Sequence, residues 1–155
     1  MADNYQLFSE IIPALTEPER TWAERVLACN SDGDHGGDGT DAKRVLKEAG
    51  IRVRTIDCDD WPGFQFELKG PDFDLWLYGH EYANVSHVGE FVRAFLARFR
   101  PIACWSLTWA ESCSKPRLGE FGGGGLFVTA RSVKVFNVAQ WVDRRRRTFE
   151  KTPST

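Results

Sequence analysis

Around Pro101 the spacing of apolar residues changes, and that change does most to limit what this chain can become. Before it, Val85, Val88, Phe91, Val92, Phe95, Leu96 and Phe99 recur at steps of three and four behind the helix start Asn84-Val85-Ser86-His87. This predicts a helix over about 84–99 with Glu90, Arg93, Ala97 and Arg98 outside. After it, Ala103, Trp105, Leu107 and Trp109 alternate with Cys104, Ser106, Thr108 and Ala110, the period of a strand with one bulky and one small, polar face. A helix with one apolar side needs a layer to lie on, and a strand with one bulky face supplies part of it.

The rest of the chain extends both patterns. Tyr5 to Ile12 is apolar in both parities and is cut by Pro13, which fits a short strand or an irregular lead-in. Thr16-Glu17-Pro18-Glu19 is a helix start with a capping box and a proline in the first turn, and predicts a helix over about 17–29 with Trp22, Val26 and Leu27 on one side. Asp41 can cap a short helix over 42–49 that ends at Gly50. Ile51, Val53 and Thr55 alternate with Arg52 and Arg54 as an edge strand would. Phe64, Phe66 and Leu68, the turn Lys69-Gly70-Pro71-Asp72, and Phe73 to Tyr78 read as a hairpin whose second strand is the more buried. Leu126–Ala130 and Val133–Val138 are two more strands, followed by a helix over about 139–150 with Trp141, Val142 and Phe149 inward. The expected fold is therefore α+β, a mostly antiparallel sheet of five or six strands with the helices packed mainly on one face.

Length and composition agree with one domain over residues 1–155 ending in a frayed tail at 151–155. The 155 residues are 42% hydrophobic and 27% charged, enough to bury a core without disulfide or metal staples. No apolar run is long enough to span a bilayer and the start lacks a leader pattern, so a soluble cytoplasmic protein away from membranes is expected. Cys29, Cys58, Cys104 and Cys113 contain no Cys-x-x-Cys spacing and read as free thiols. The net charge of −2 conceals a segregation: residues 1–41 carry nine acidic and two basic side chains, residues 131–151 two acidic and seven basic.

Two charged segments are candidate interaction surfaces. Residues 31–41 read as a flexible acidic loop with Asp32, Asp34, Asp38 and Asp41. Its spacing is not that of an EF-hand, because counting from Asp32 the twelfth position is Lys43, where a bidentate Glu is required, and no metal is assigned. Arg144, Arg145, Arg146 and Arg147 suit the negative end of a helix dipole and are also the candidate contact for nucleic acid.

The connector Glu111–Gly125 is the candidate ligand loop. It gathers Glu111, Cys113, Lys115, Arg117 and Glu120, and its two cations could lower the thiol's pKa and hold a carboxylate or phosphate. Against this, Gly122–Gly125 lead into a strand rather than a helix, which is not a phosphate loop, and glycines beside tryptophan-bearing strands can form the gap into which flat rings pack. A thiol nucleophile would also need a base, and His80 is the histidine placed just after a strand. No cofactor motif is present and no catalytic residue is assigned.

The run Cys104–Ala130, reading WSLTWA, CSKPR, GEFGGG and FVTA in order, together with Tyr78-Gly79-His80-Glu81-Tyr82-Ala83-Asn84, resembles a group of small bacterial, plasmid and phage proteins. The likeness covers about residues 62–150. It implies a compact domain of prokaryotic or mobile-element origin and transfers no catalytic residue. The expected function is a non-enzymatic accessory factor that binds a protein partner. The alternatives are a small enzyme or anionic-ligand domain using 111–125, and a nucleic-acid binder using Arg144–Arg147.

Overall fold

The computed structural model describes residues 4–29, 39–72, 74–115 and 117–151, and the side chains of all of these except 4 and 39–41. Among them six strands run in the order β2-β3-β1-β4-β5-β6, every neighbouring pair antiparallel: β1 Asn4–Ile12, β2 Gln65–Lys69, β3 Asp74–Gly79, β4 Cys104–Cys113, β5 Gly122–Thr129 and β6 Val133–Asn137. The helices are α1 Glu17–Leu27, α2 Gly39–Glu48, α3 Val85–Phe99 and α4 Val138–Glu150. The α+β class is as expected, and β1 is a full central strand, paired with β3 on one side and β4 on the other.

Local chemistry sets the helix starts. Glu19 reaches back to accept from the backbone N–H of Thr16 at 2.7 Å and from its hydroxyl at 3.1 Å. The side chain of Asn84 accepts from the N–H of His87 at 3.3 Å and opens α3. Helix α2 begins at Gly39, so Asp41 lies in its first turn rather than ahead of it.

One face of the sheet carries the core. Phe8, Ile12, Leu75, Leu77, Leu107, Trp109, Leu126 and Val128 point to it and meet Trp22, Val26, Leu27, Leu46, Val88, Phe91, Val92 and Phe95 of α1, α2 and α3. Trp22 stacks on Phe91 with ring centroids 5.6 Å apart, and Phe95 and Phe99 close the same aromatic group.

Three expectations are corrected. Residues 51–55 form turns, not an edge strand, because the N–H of Arg52 donates to the Glu90 carboxylate at 2.8 Å and that of Thr55 to the Arg52 carbonyl at 2.8 Å. Glu90 and Arg93 are not outside α3 but buried, at 3% and 8% exposure, since the turns after α2 cover the side of α3 that periodicity left free. Trp141, Val142 and Phe149 do not point inward: α4 has no buried residue. No residue separates β6 from α4, and the helix touches its own sheet at β5 and β6 without burying any side chain.

Candidate functional site

The connector after β4 is built around its glycines. Trp109 packs on the core side of β4 opposite Gly124, where an added Cβ would stand 2.5 Å from two ring carbons of the indole and would also strike the carbonyl of Phe136. Gly123 has a φ of +148° and its Cβ would strike the Trp109 carbonyl. At Gly122 a Cβ would lie 2.8 Å from the Glu111 carboxylate, which accepts from the Trp109 indole N–H at 3.1 Å. The run therefore makes room for one ring and one carboxylate, the packing role anticipated for it.

Of the five loop residues singled out, the structure brings two together. Glu111 and Glu120 line a cleft of about 370 Å³ with Glu81, Tyr5, Tyr82 and Ser112. Neither Lys115, Arg117, Cys113 nor His80 lines it. Lys115 and Arg117 are exposed, and Cys113 closes β4 opposite Asn4. Three carboxylates give the cleft the wrong sign for a phosphate or carboxylate ligand.

The arginines stand in solvent on α4, where the Arg144 Nε donates to the Gln140 carbonyl at 3.3 Å and the Arg145 guanidinium lies 5.4 Å from the Trp141 ring centre. Asp32, Asp34 and Asp38 lie outside the described residues, as does the side chain of Asp41. No group of three or more His, Cys, Asp or Glu among the described residues is placed to hold a metal ion. No helix there is long and apolar enough to cross a membrane.

The larger feature is the other face of the sheet. Register places Leu7 of β1 opposite Ala110 of β4, Ser106 and Thr108 of β4 opposite Phe127 and Gly125 of β5, and Gly125 opposite Phe136 of β6. On this side Leu7, Ser9, Ile11, Cys104, Ser106, Thr108, Ala110, Phe127 and Phe136 are exposed. Trp76 and Tyr78 of β3 continue the surface past Ile11 and Ser9, stacked at 3.9 Å, and the Trp76 indole donates to the Ser9 hydroxyl at 2.8 Å. The residues of β1, β4 and β5 on this side are uncharged. Lys134 of β6 stands opposite Phe127, Glu67 of β2 stands opposite Trp76, and the Lys69 ammonium lies 3.8 Å from the Trp76 ring centre. Helices α1, α2 and α3 all lie on the opposite side. Helix α4 adds Val138, Trp141, Val142 and Phe149, spaced along one stripe and each more than 40% exposed. The alternation along β4 had already separated a small face from a bulky one. What it could not show was that among the described residues no layer covers the small one.

Charged groups that periodicity placed in solvent turn out to be structural. The Glu90 carboxylate accepts from Arg52 Nη2 at 2.7 Å and Arg93 Nη2 at 2.7 Å. Burial alone would raise its pKa, but the hydrogen bonds from Arg52 and Arg93 outweigh this and hold it below the usual range. Glu19 is likewise lowered by the hydrogen bond from Arg100, 2.7 Å away, against its own burial. Each carboxylate is fully engaged within the fold. Compared with protein-family models, curated proteins and solved structures, the chain finds no match.

Proposed function

We propose that this chain is a non-catalytic protein-binding module that works through the uncovered face of its sheet. One observation carries the reading: β1, β4, β5 and β6 expose Leu7, Ile11, Phe127 and Phe136 on a single side together with small uncharged residues and the cation Lys134. Contiguous apolar surface of this kind marks an interaction site in a folded protein, because leaving it wet forfeits about 25 cal/mol for each Å² that a partner would bury. Small residues at the centre with large apolar ones around them form a shallow relief that another protein's side chains can enter, as in the core of an interface. The prokaryotic or mobile-element origin implied by the resemblance belongs to the same reading.

Photocrosslinking tests it. A photoactivatable residue at Thr108, in the middle of the face, is expected to form a protein adduct in extract of the native cell. The same residue at Arg98, exposed at the far side on α3, serves as the reference. If Thr108 and Arg98 yield adduct equally, the face is not a binding surface and the reading fails.

A further inference from the structure

Among the described residues two apolar surfaces stay exposed, and each has the shape the other would need against it. Helices α1, α2 and α3 pack on one face of the sheet. Helix α4 touches β5 and β6 of its own chain, yet its apolar stripe, Val138, Trp141, Val142 and Phe149, stays more than 40% exposed among the described residues. Isolated helices of about a dozen residues are marginal in water, so a helix of this length draws its stability from packing its apolar side. β6 runs into α4 with no intervening residue, and α4 meets its own sheet mainly at β5 and β6, so β1 and β4 are left largely without it. A second copy can bring its α4 to them.

Resting on the reading of the sheet face as a protein-binding surface, we propose that the occupant is a second copy of this chain. The two copies form a two-fold dimer in which α4 of each lies across β1, β4 and β5 of the other. The dimensions agree. The 13 residues of α4 make a rod about 20 Å long, and the four strands from β1 to β6 place their outer members about 14 Å apart. Stable interfaces begin at roughly 1,200 Å² of total buried surface, and a two-fold arrangement divides that requirement between two equal contacts.

The charge distribution agrees as well. A two-fold contact brings each surface against its own copy, so like charges near the axis would repel. The open face of β1, β4 and β5 carries none, its residues being Leu7, Ser9, Ile11, Cys104, Ser106, Thr108, Ala110 and Phe127. On α4, Arg144 and Arg147 point away from the Val138–Trp141–Val142 stripe by helical spacing, whereas Arg145, four residues from both Trp141 and Phe149, lies on it, its guanidinium 5.4 Å from the Trp141 ring centre. Burying the stripe therefore brings one cation, Arg145, against the uncharged face of β1, β4 and β5, with its stem packed along Trp141.

The test uses the full chain and three preparations: wild type, Phe127→Asp on the sheet, and Trp141→Asp on the helix. Sedimentation equilibrium at tens of micromolar is expected to give twice the mass of one chain for wild type and the mass of one chain for both variants. Circular dichroism and urea unfolding monitor the fold of each. Cys104, exposed on the same face, supplies a second readout. Its alkylation by a bulky maleimide is expected to slow several-fold as wild type is concentrated, and to be independent of concentration in the variants.

Wild type sedimenting as one chain would overturn the proposal, and so would a Trp141→Asp variant that remains a dimer. If Thr108 cross-links to a different protein while wild type stays monomeric, the binding-module reading stands and the dimer falls. If Thr108 and Arg98 cross-link equally, that reading falls too.

Discussion

Glu90 and His87 show how single side chains lock the segment before the hairpin to α3. The Glu90 side chain is 4% exposed and its arginine partners Arg52 and Arg93 are 47% and 10% exposed, so the charge on one side of the cluster is dry and the other half wet. Replacing Glu90 with Gln keeps the shape but leaves Arg93 buried beside a neutral group. Urea unfolding should show a loss of about 3 kcal/mol, with an unchanged slope. The neutral His87 ring donates from Nδ1 to the Pro62 carbonyl at 3.1 Å and accepts at Nε2 from the Asp57 N–H at 3.0 Å, the tautomer that fits both partners. Its burial lowers its pKa, although the Pro62 carbonyl, Asp60 and Asp57 pull the other way. Below about pH 6.5 the unfolded chain therefore takes up a proton that the folded chain refuses, and stability falls as pH falls. A second decline follows below about pH 4.5, where the depressed Glu19 and Glu90 carboxylates bind fewer protons folded than unfolded. His87→Gln should flatten the first decline and leave the second. An unchanged urea midpoint profile between pH 7 and 5 would show that another group governs it.

Among the elements, β4 and β5 depend most on absent side chains. Gly124→Ala forces the Trp109 ring or the β6 backbone to move and is expected to cost about 2 kcal/mol, whereas at Gly125 the nearest atom to an added Cβ is the Leu107 carbonyl at 3.3 Å and alanine should cost less than half as much. Equal losses in urea would mean that the indole does not occupy the space over Gly124. These elements also show what periodicity can and cannot reveal. The helix over 85–99, the strand after Pro101 and the hairpin over 65–79 were legible because each buries one face and so repeats with a fixed period. Residues 51–55 alternate in the same way yet form turns, since their backbone is held by a carboxylate 38 residues away, a contact that no local pattern records. The loop around Glu111 was legible as a place where glycine is required. Which of its charged residues converge was not, because Glu81 comes from a different part of the chain and reverses the sign of the cleft. Helix α4 was placed correctly in sequence, but an apolar stripe says only that something covers it, not what.

At the scale of the molecule, self-association would tie stability to concentration. The melting temperature of wild type should rise as the protein is concentrated, because mass action favours the folded dimer over two unfolded chains, while that of Trp141→Asp should not move. Parallel curves for the two proteins would sever stability from association. The strand order carries a separate consequence. Strand β1 sits between the hairpin of β2 and β3 and the meander of β4, β5 and β6, and among the described residues it joins those halves within the sheet. Yet it precedes both, and Leu7 waits for Ala110. On a ribosome, Tyr5 to Ile12 emerges long before either neighbour exists, so the clasp of the whole sheet closes only after about a hundred further residues have been made, and until then it is a sticky ribbon that a chaperone would be suited to shield.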